Sequence, residues 1–307
     1  QALDQAREMY VLAAETDPTN IQANYSAGDA YLRTVGKEKA VNYFLQVLNL
    51  DPEYRFDITY YIGRSYQYGM EFDKALEYYS RSLLIAEELG QEQQVGKNIS
   101  RIGYVYFAKC DYGTALDYYE RARAIYEKID YKSELSSTLR DIGFAYYIKG
   151  ENDKAIEYYK MSLAIGDKAG DKHIILWSFN SIGYFYYSQG EYEKSKEFLE
   201  KSLSLYKELD IELGLGFVTY LSLTNKKIGN EYDVKEVIEL IKENENIEFY
   251  TNLRLYELLE DQSYLETAYN QIQEKADAMD DELKEKFLTY PIPKQIIEEY
   301  NKVYVCP

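Results

Sequence analysis

The chain has 307 residues, 46% of them hydrophobic and 29% charged, a balance that suits a folded chain with a buried core rather than a disordered one. Its 35 basic and 53 acidic side chains leave a net charge of -18, which repels phosphate backbones; with no basic run to offset it, nucleic acid is excluded as a partner. No apolar run reaches the roughly 18 residues of a membrane-crossing helix, so no membrane partner is expected.

Two cysteines, Cys110 and Cys306, lie far apart and form neither a disulfide framework nor a metal-ligand spacing. Their isolation fits a reducing compartment and a cytoplasmic location. The chain opens at Gln1 without a methionine, as a processed protein or a piece of a longer one would. The compositional outlier is tyrosine, at 36 residues. Its apolar body and polar tip suit both helix seams and wet grooves.

Residues 1–16, QALDQAREMYVLAAET, read as the second helix of an incomplete hairpin. Asp17-Pro18 ends it, because a proline drives the residue before it out of the helical region; Asp51-Pro52 repeats the signal 34 residues later. Between these stops, Ile21 to Val35 and Lys37 to Leu50 form one short complete hairpin marked by Gly28, Tyr31 and Ala40.

From Ile58 to Tyr206 one pattern recurs. Gly63, Gly103, Gly143 and Gly183 stand 40 residues apart in the phrases YIGRSY, RIGYVY, DIGFAY and SIGYFY. Three residues after each glycine comes a tyrosine (Tyr66, Tyr106, Tyr146, Tyr186), and twelve after it a small residue (Ala75, Ala115, Ala155, Ser195). A large pair follows at fifteen and sixteen: Tyr78-Tyr79, Tyr118-Tyr119, Tyr158-Tyr159 and Phe198-Leu199. Glycine and tyrosine share one helix face, and the later markers share a face of a second helix. Small residues let the two backbones approach while the rings fill the space beside them. Gly150 and Gly190 lie in the turn between the helices, where a left-handed residue is favoured; Cys110 holds that place in an earlier unit.

A fifth long unit begins near Leu213, with its second helix near Asp233, but Leu223 replaces the anchor glycine, as expected of a terminal hairpin. From Asn246 the register is lost, although several stretches stay helical in pattern. Asp280 and Asp281 are cap candidates, and Pro291 with Pro293 separates the last two helices. Between Asn246 and Tyr300 five basic and thirteen acidic residues give 5 − 13 = −8. A cap shielding the last apolar face is the expectation here.

The order glycine, aromatic, small, aromatic, small resembles the tetratricopeptide repeat family over roughly residues 1 to 240, in the long-period variety of bacterial signalling proteins. The closing segment is similar to the ends of repeat arrays in large bacterial signalling ATPases, kinases and cyclases. The resemblance implies an all-α fold, a right-handed α-solenoid of stacked antiparallel helix hairpins. Residues 1–16 would be a partial repeat helix, 17–245 the array and 246–307 an irregular helical cap.

In that family the first helix of each hairpin lines a concave wall. By the family's register the lining residues are Tyr60, Arg64, Gln67 and Tyr68; then Lys97, Ser100, Tyr104 and Phe107, with Arg101 beside them; then Arg140, Phe144 and Tyr147; then Trp177, Asn180, Tyr184 and Tyr187. Basic residues gathered on one wall of an acidic chain point to a carboxylate-bearing ligand, and aromatic platforms to an extended peptide.

No catalytic chemistry is expected. His173 is the sole histidine and lies near a helix start; the glycines fall at the repeat interval and make no phosphate-binding loop. Neither a metal nor a cofactor is called for. The reading is a non-catalytic scaffold that binds a peptide or protein segment, as the sensor or adaptor part of a larger signalling protein. The alternative is an architectural module that self-associates, as a homodimer, and spaces attached domains.

Overall fold

A computed structural model describes residues 2–33, 37–51, 55–244 and 247–305. Val35, Pro52 and Cys306, each given a part above, lie outside the described residues. Among the described residues the structure is all α-helical, without strands, and it forms two compact units, residues 1–131 and 132–307.

The first unit holds α1 (Ala2–Thr16), α2 (Ile21–Arg33), α3 (Lys37–Leu50), α4 (Arg55–Tyr68), α5 (Phe72–Glu88), α6 (Glu92–Ala108) and α7 (Tyr112–Lys128). Each packs against the next in sequence, so the core is a seam of nearest neighbours. The anchor glycines explain the closeness of that seam. A Cβ on Gly63 would stand 2.8 Å from the Tyr79 ring and one on Gly103 2.9 Å from Tyr119, nearer than carbon atoms approach. Beside each such contact the recurring tyrosines pair: Tyr66 with Tyr78 and Tyr106 with Tyr118, both with centroids 5.5 Å apart.

The second unit begins with the same device in α8 (Lys132–Ile148), α9 (Asn152–Ala169), α10 (Lys172–Ser188) and α11 (Tyr192–Glu208). Tyr159 covers Gly143 and Leu199 covers Gly183. Turns close by one rule throughout. Left-handed backbone recurs at Met70, Gly90, Cys110, Asp130, Gly150, Gly170, Gly190 and Asp210, so each helix ends on a 20-residue step. At the inner turns the carbonyl of the recurring tyrosine accepts the capping bond, as from Asp111 N to Tyr106 O and from Glu151 N to Tyr146 O, both 2.9 Å.

Then the pattern changes. α12 (Leu215–Lys227) packs on both α11 and α10, with Leu223 fully buried where an anchor glycine would stand. Its partner α13 (Lys235–Glu243) is short and buries Val237. α14 (Phe249–Leu259), α15 (Gln262–Asp277), α16 (Asp281–Thr289), α17 (Pro291–Tyr300) and a π-helical turn, Asn301–Val305, complete the unit. Asp280 caps α16 by accepting from Leu283 N at 2.9 Å, and Pro291 opens α17 at the position where a missing N–H costs nothing. α14 lies against α12, and Pro291 reaches the turn at Gly150.

Candidate peptide-binding surfaces

In the first unit α4 and α6 carry the expected lining residues, and most gather around one buried phenol. Tyr79, seated on Gly63, donates its hydroxyl to Gln67 Oε1 at 2.6 Å, so Gln67 is buried and serves the interior. The Tyr60 ring lies 5.7 Å from that of Tyr79, and its hydroxyl accepts from Arg101 Nε at 3.2 Å. Arg64 donates to the Tyr68 hydroxyl at 3.3 Å, and its guanidinium stands over the Tyr61 and Tyr68 rings at 5.7 and 5.6 Å.

Two guanidinium groups are thus held by tyrosines. Among the described residues neither Arg64 nor Arg101 has a carboxylate partner. Burial opposes the charge on Arg101, but Tyr60, Tyr79 and Tyr68 outweigh it and hold the guanidinium protonated. Arg64 is likewise raised: burial works against the charge, the Tyr68 hydroxyl favours it, and Arg101 opposes it as a like charge. Burial pushes the Tyr79 phenol well above the ordinary tyrosine range, with Arg101 and Arg64 acting the other way.

Tyr68 and Tyr104 expose 40% and 42% of their surface beside this pair. Ser100 and Lys97 are half-buried on the same helix as Tyr104, and Lys97 faces the Asp57 carboxylate. Phe107 packs on Tyr112 at 5.0 Å. Chemically, the surface offers two cations to an incoming anion with aromatic surface alongside.

In the second unit the corresponding positions meet other parts of the chain. Arg140 bonds Ser136 Oγ at 3.3 Å and is largely desolvated, which lowers its pKa, with Asp141 opposing the shift. Ser136 continues a buried hydroxyl chain to Ser162 and Ser178, at 2.8 and 2.7 Å. Phe144 stacks with Tyr147 at 6.0 Å and meets Tyr250 of α14 edge-on at 5.6 Å. Tyr184 stacks on Tyr220 of α12 at 4.3 Å. Tyr187 is buried; it donates to Glu257 Oε2 at 3.2 Å and lies under Arg254, 5.6 Å from its ring. Asn180 donates to the Tyr206 hydroxyl at 2.9 Å and accepts from Ser202, while Trp177, 40% exposed, meets Tyr206 edge-on.

Arg254 organises this face. It is 5% exposed and bonds Glu257 Oε1 at 2.6 Å, and Gln295 donates to the same oxygen at 3.2 Å. Lys226 of α12 closes the end of α14 by donating to the carbonyls of Glu257 and Leu258, at 3.1 and 3.0 Å, and to Glu260 at 2.6 Å. Burial raises the phenols of Tyr184, Tyr187 and Tyr220 far above their usual range.

Register reasoning missed Arg254, Glu257, Tyr220 and Lys226 because they follow the point where the 40-residue pattern fades. A signal was present in RLYELLE, where an arginine and a glutamate three apart interrupt an apolar helix. His173 is exposed, in the first turn of α10. No group of histidine, cysteine and carboxylate side chains that could hold a metal exists among the described residues, and no helix there is long and apolar enough to cross a membrane.

These features agree with the family comparison. A tetratricopeptide repeat model matches residues 54–128 and 134–208, and a second one matches residues 21–54. The chain therefore belongs to the tetratricopeptide repeat family, a fold of protein-interaction scaffolds that is generally non-catalytic. It is similar to aspartyl phosphate phosphatase F from Bacillus subtilis, with a TM-score of 0.63 at 14% identity, over 98% of this chain and 72% of that one. RapI in its apo form gives 0.54 at 14% identity, over 98% and 99% of the two chains. A signal transduction ATPase with a tetratricopeptide repeat sensor, from Pyrococcus horikoshii, gives 0.58 at 18% identity over 97% of this chain and 45% of its own. At these identities the likeness is one of fold. No match was found among curated proteins.

Proposed function

We propose that the protein is a non-catalytic scaffold whose α4–α6 face binds an acidic, extended peptide segment. The observation that carries this reading is the Arg64–Arg101 pair: two like charges, held by tyrosine hydroxyls and supplied with no carboxylate by the described residues. A ligand carboxylate would relieve their repulsion and add charge-assisted hydrogen bonds, while Tyr68 and Tyr104 offer flat surface to its apolar neighbours. The role is that of a sensor or adaptor in a larger signalling protein, acting in the cytoplasm. One similar structure is named for a repeat sensor attached to a signal transduction ATPase, which supports the same kind of use here.

The test is an anisotropy titration of labelled peptide pools, one rich in aspartate and glutamate with interspersed aromatics and one with the matching amides. Preferential binding of the acidic pool, reduced at least tenfold by Arg64→Glu and by Arg101→Glu, is the expected result. Equal binding of both pools, or affinity untouched by both substitutions, would defeat the reading.

A further inference from the structure

The open face of the first unit carries charge of both signs along one aromatic strip. Tyr25 of α2 meets Tyr61 of α4 edge-on at 5.8 Å, and Tyr61 meets Tyr60 edge-on at 5.6 Å. Helix register fixes what borders that strip. Residues three and four apart share a helix face, so Tyr61 has Asp57 one turn before it and Arg64 one turn after it, and Tyr25 has Asp29 one turn after it. The Arg64 guanidinium confirms the register by standing over the Tyr61 ring at 5.7 Å. Because Tyr25 touches Tyr61, it lies between two carboxylates, Asp29 on its own helix and Asp57 on the next.

The electrostatics agree with that placement. Burial raises the Tyr25 phenol above the ordinary tyrosine range, and Tyr61, Asp29 and Asp57 add to the shift, so both carboxylates act on this ring. Asp57 is exposed, yet the walls around it desolvate its carboxyl enough to raise it, with Lys97 of α6 acting the other way. Among the described residues no cation comes within bonding distance of Asp57. A cation arriving from outside would restore the solvation that the walls remove, and the Tyr25 ring adds its own attraction for a positive charge. A second ligand carboxylate would be repelled at the same place. Arg64 and Arg101, held by Tyr68 and Tyr60, lie one helix further across the face. Neighbouring packed helices are about 8–10 Å apart, the reach of roughly three residues of extended chain.

On the reading that the α4–α6 face binds an acidic peptide, we infer that its ligand is dipolar: a lysine or arginine seats against Tyr25 between Asp29 and Asp57, and an aspartate or glutamate roughly three residues away is held by Arg64 and Arg101. Specificity then comes from the spacing of two opposite charges, since a run of acidic residues satisfies the arginines but not Asp57.

The probes are short fluorescein-labelled peptides of serine, threonine and tyrosine that carry glutamate alone, glutamate and lysine three residues apart in either order, or the two adjacent. Anisotropy titration against the full chain is expected to show one of the spaced peptides bound at least tenfold more tightly than glutamate alone, and the adjacent pair bound no better than glutamate alone. Asp57→Asn removes the gain and leaves the glutamate-only peptide unchanged, whereas Asp57→Glu keeps it. Spaced peptides that gain nothing, an adjacent pair that gains as much, or a gain that survives Asp57→Asn overturns the dipolar ligand and leaves the anion site standing. If glutamate alone does not bind, or binds Arg64→Glu as tightly as the wild-type chain, the peptide reading of the face fails and the dipolar ligand with it. Circular dichroism checks that Asp57→Asn still folds; if it does not, the wild-type comparison of spaced with adjacent peptides decides alone.

Discussion

The residue after each anchor glycine occupies one place in the repeat, yet it meets different surroundings in the two units. Arg64 and Tyr104, in the first unit, stay at the surface, with Arg64 held by a phenol and Tyr104 42% exposed. Phe144 and Tyr184, in the second, pack against Tyr250 of α14 and Tyr220 of α12. The cations divide in the same way. Arg64 and Arg101 lack carboxylate partners among the described residues, whereas Arg254 is buried with Glu257. Repeat register therefore decides which way a side chain points, and the segment that folds over it decides whether a ligand can reach it.

That contrast is sharpest for the arginines. Replacing Arg254 by alanine leaves the half-buried Glu257 carboxylate without its cation, held only by the Tyr187 hydroxyl and the Gln295 amide, and is expected to cost about 2–3 kcal/mol. Arg64→Ala removes one half-exposed bond to a tyrosine and should cost roughly 1 kcal/mol or less. Urea denaturation of both variants measures the gap, and similar losses would mean that the second face is as open as the first. Binding should reverse the order. Charge reversal at Arg64 is expected to weaken an acidic peptide at least tenfold, about 1.4 kcal/mol. A comparable loss from Arg140→Glu would place the ligand at the second unit's face instead.

Lys226 gives a smaller test of how the second face is closed. Its ammonium caps the α14 carbonyls of Glu257 and Leu258 and depresses the pKa of Glu260. Lys226→Met keeps the stem and removes the charge, so α14 should loosen by about 1–2 kcal/mol. Faster amide exchange confined to residues 249–260 is the signature to look for.

Most of the helical hairpins were legible in the residues, because glycine, tyrosine and small-residue spacing reports directly on how close two backbones come. Cys110 stands in register with Gly150 and Gly190, and all three adopt left-handed backbone. What the spacing could not carry was the occupancy of the faces. Tyr184 and Tyr187 have the register of a groove, but α12 and α14, which cover them, lie beyond the last clear repeat and contribute through Tyr220, Arg254 and Glu257. Gln67 was misleading for a local reason: its amide is needed by the buried Tyr79 hydroxyl.

The finest test compares two turns that differ in little else. Gly150 and Gly190 both sit at positive φ, 80° and 74°, so an alanine at either is strained and should cost about 1 kcal/mol. A Cβ at Gly190 meets nothing within 4 Å, whereas one at Gly150 would stand 2.9 Å from Pro291 at the start of α17. Gly150→Ala should therefore lose roughly 1 kcal/mol more than Gly190→Ala, the order of a modest overpacking cost. Adding Pro291→Ala to each variant closes the cycle: the excess at residue 150 should vanish with the proline ring, and an excess that survives would detach α17 from that turn.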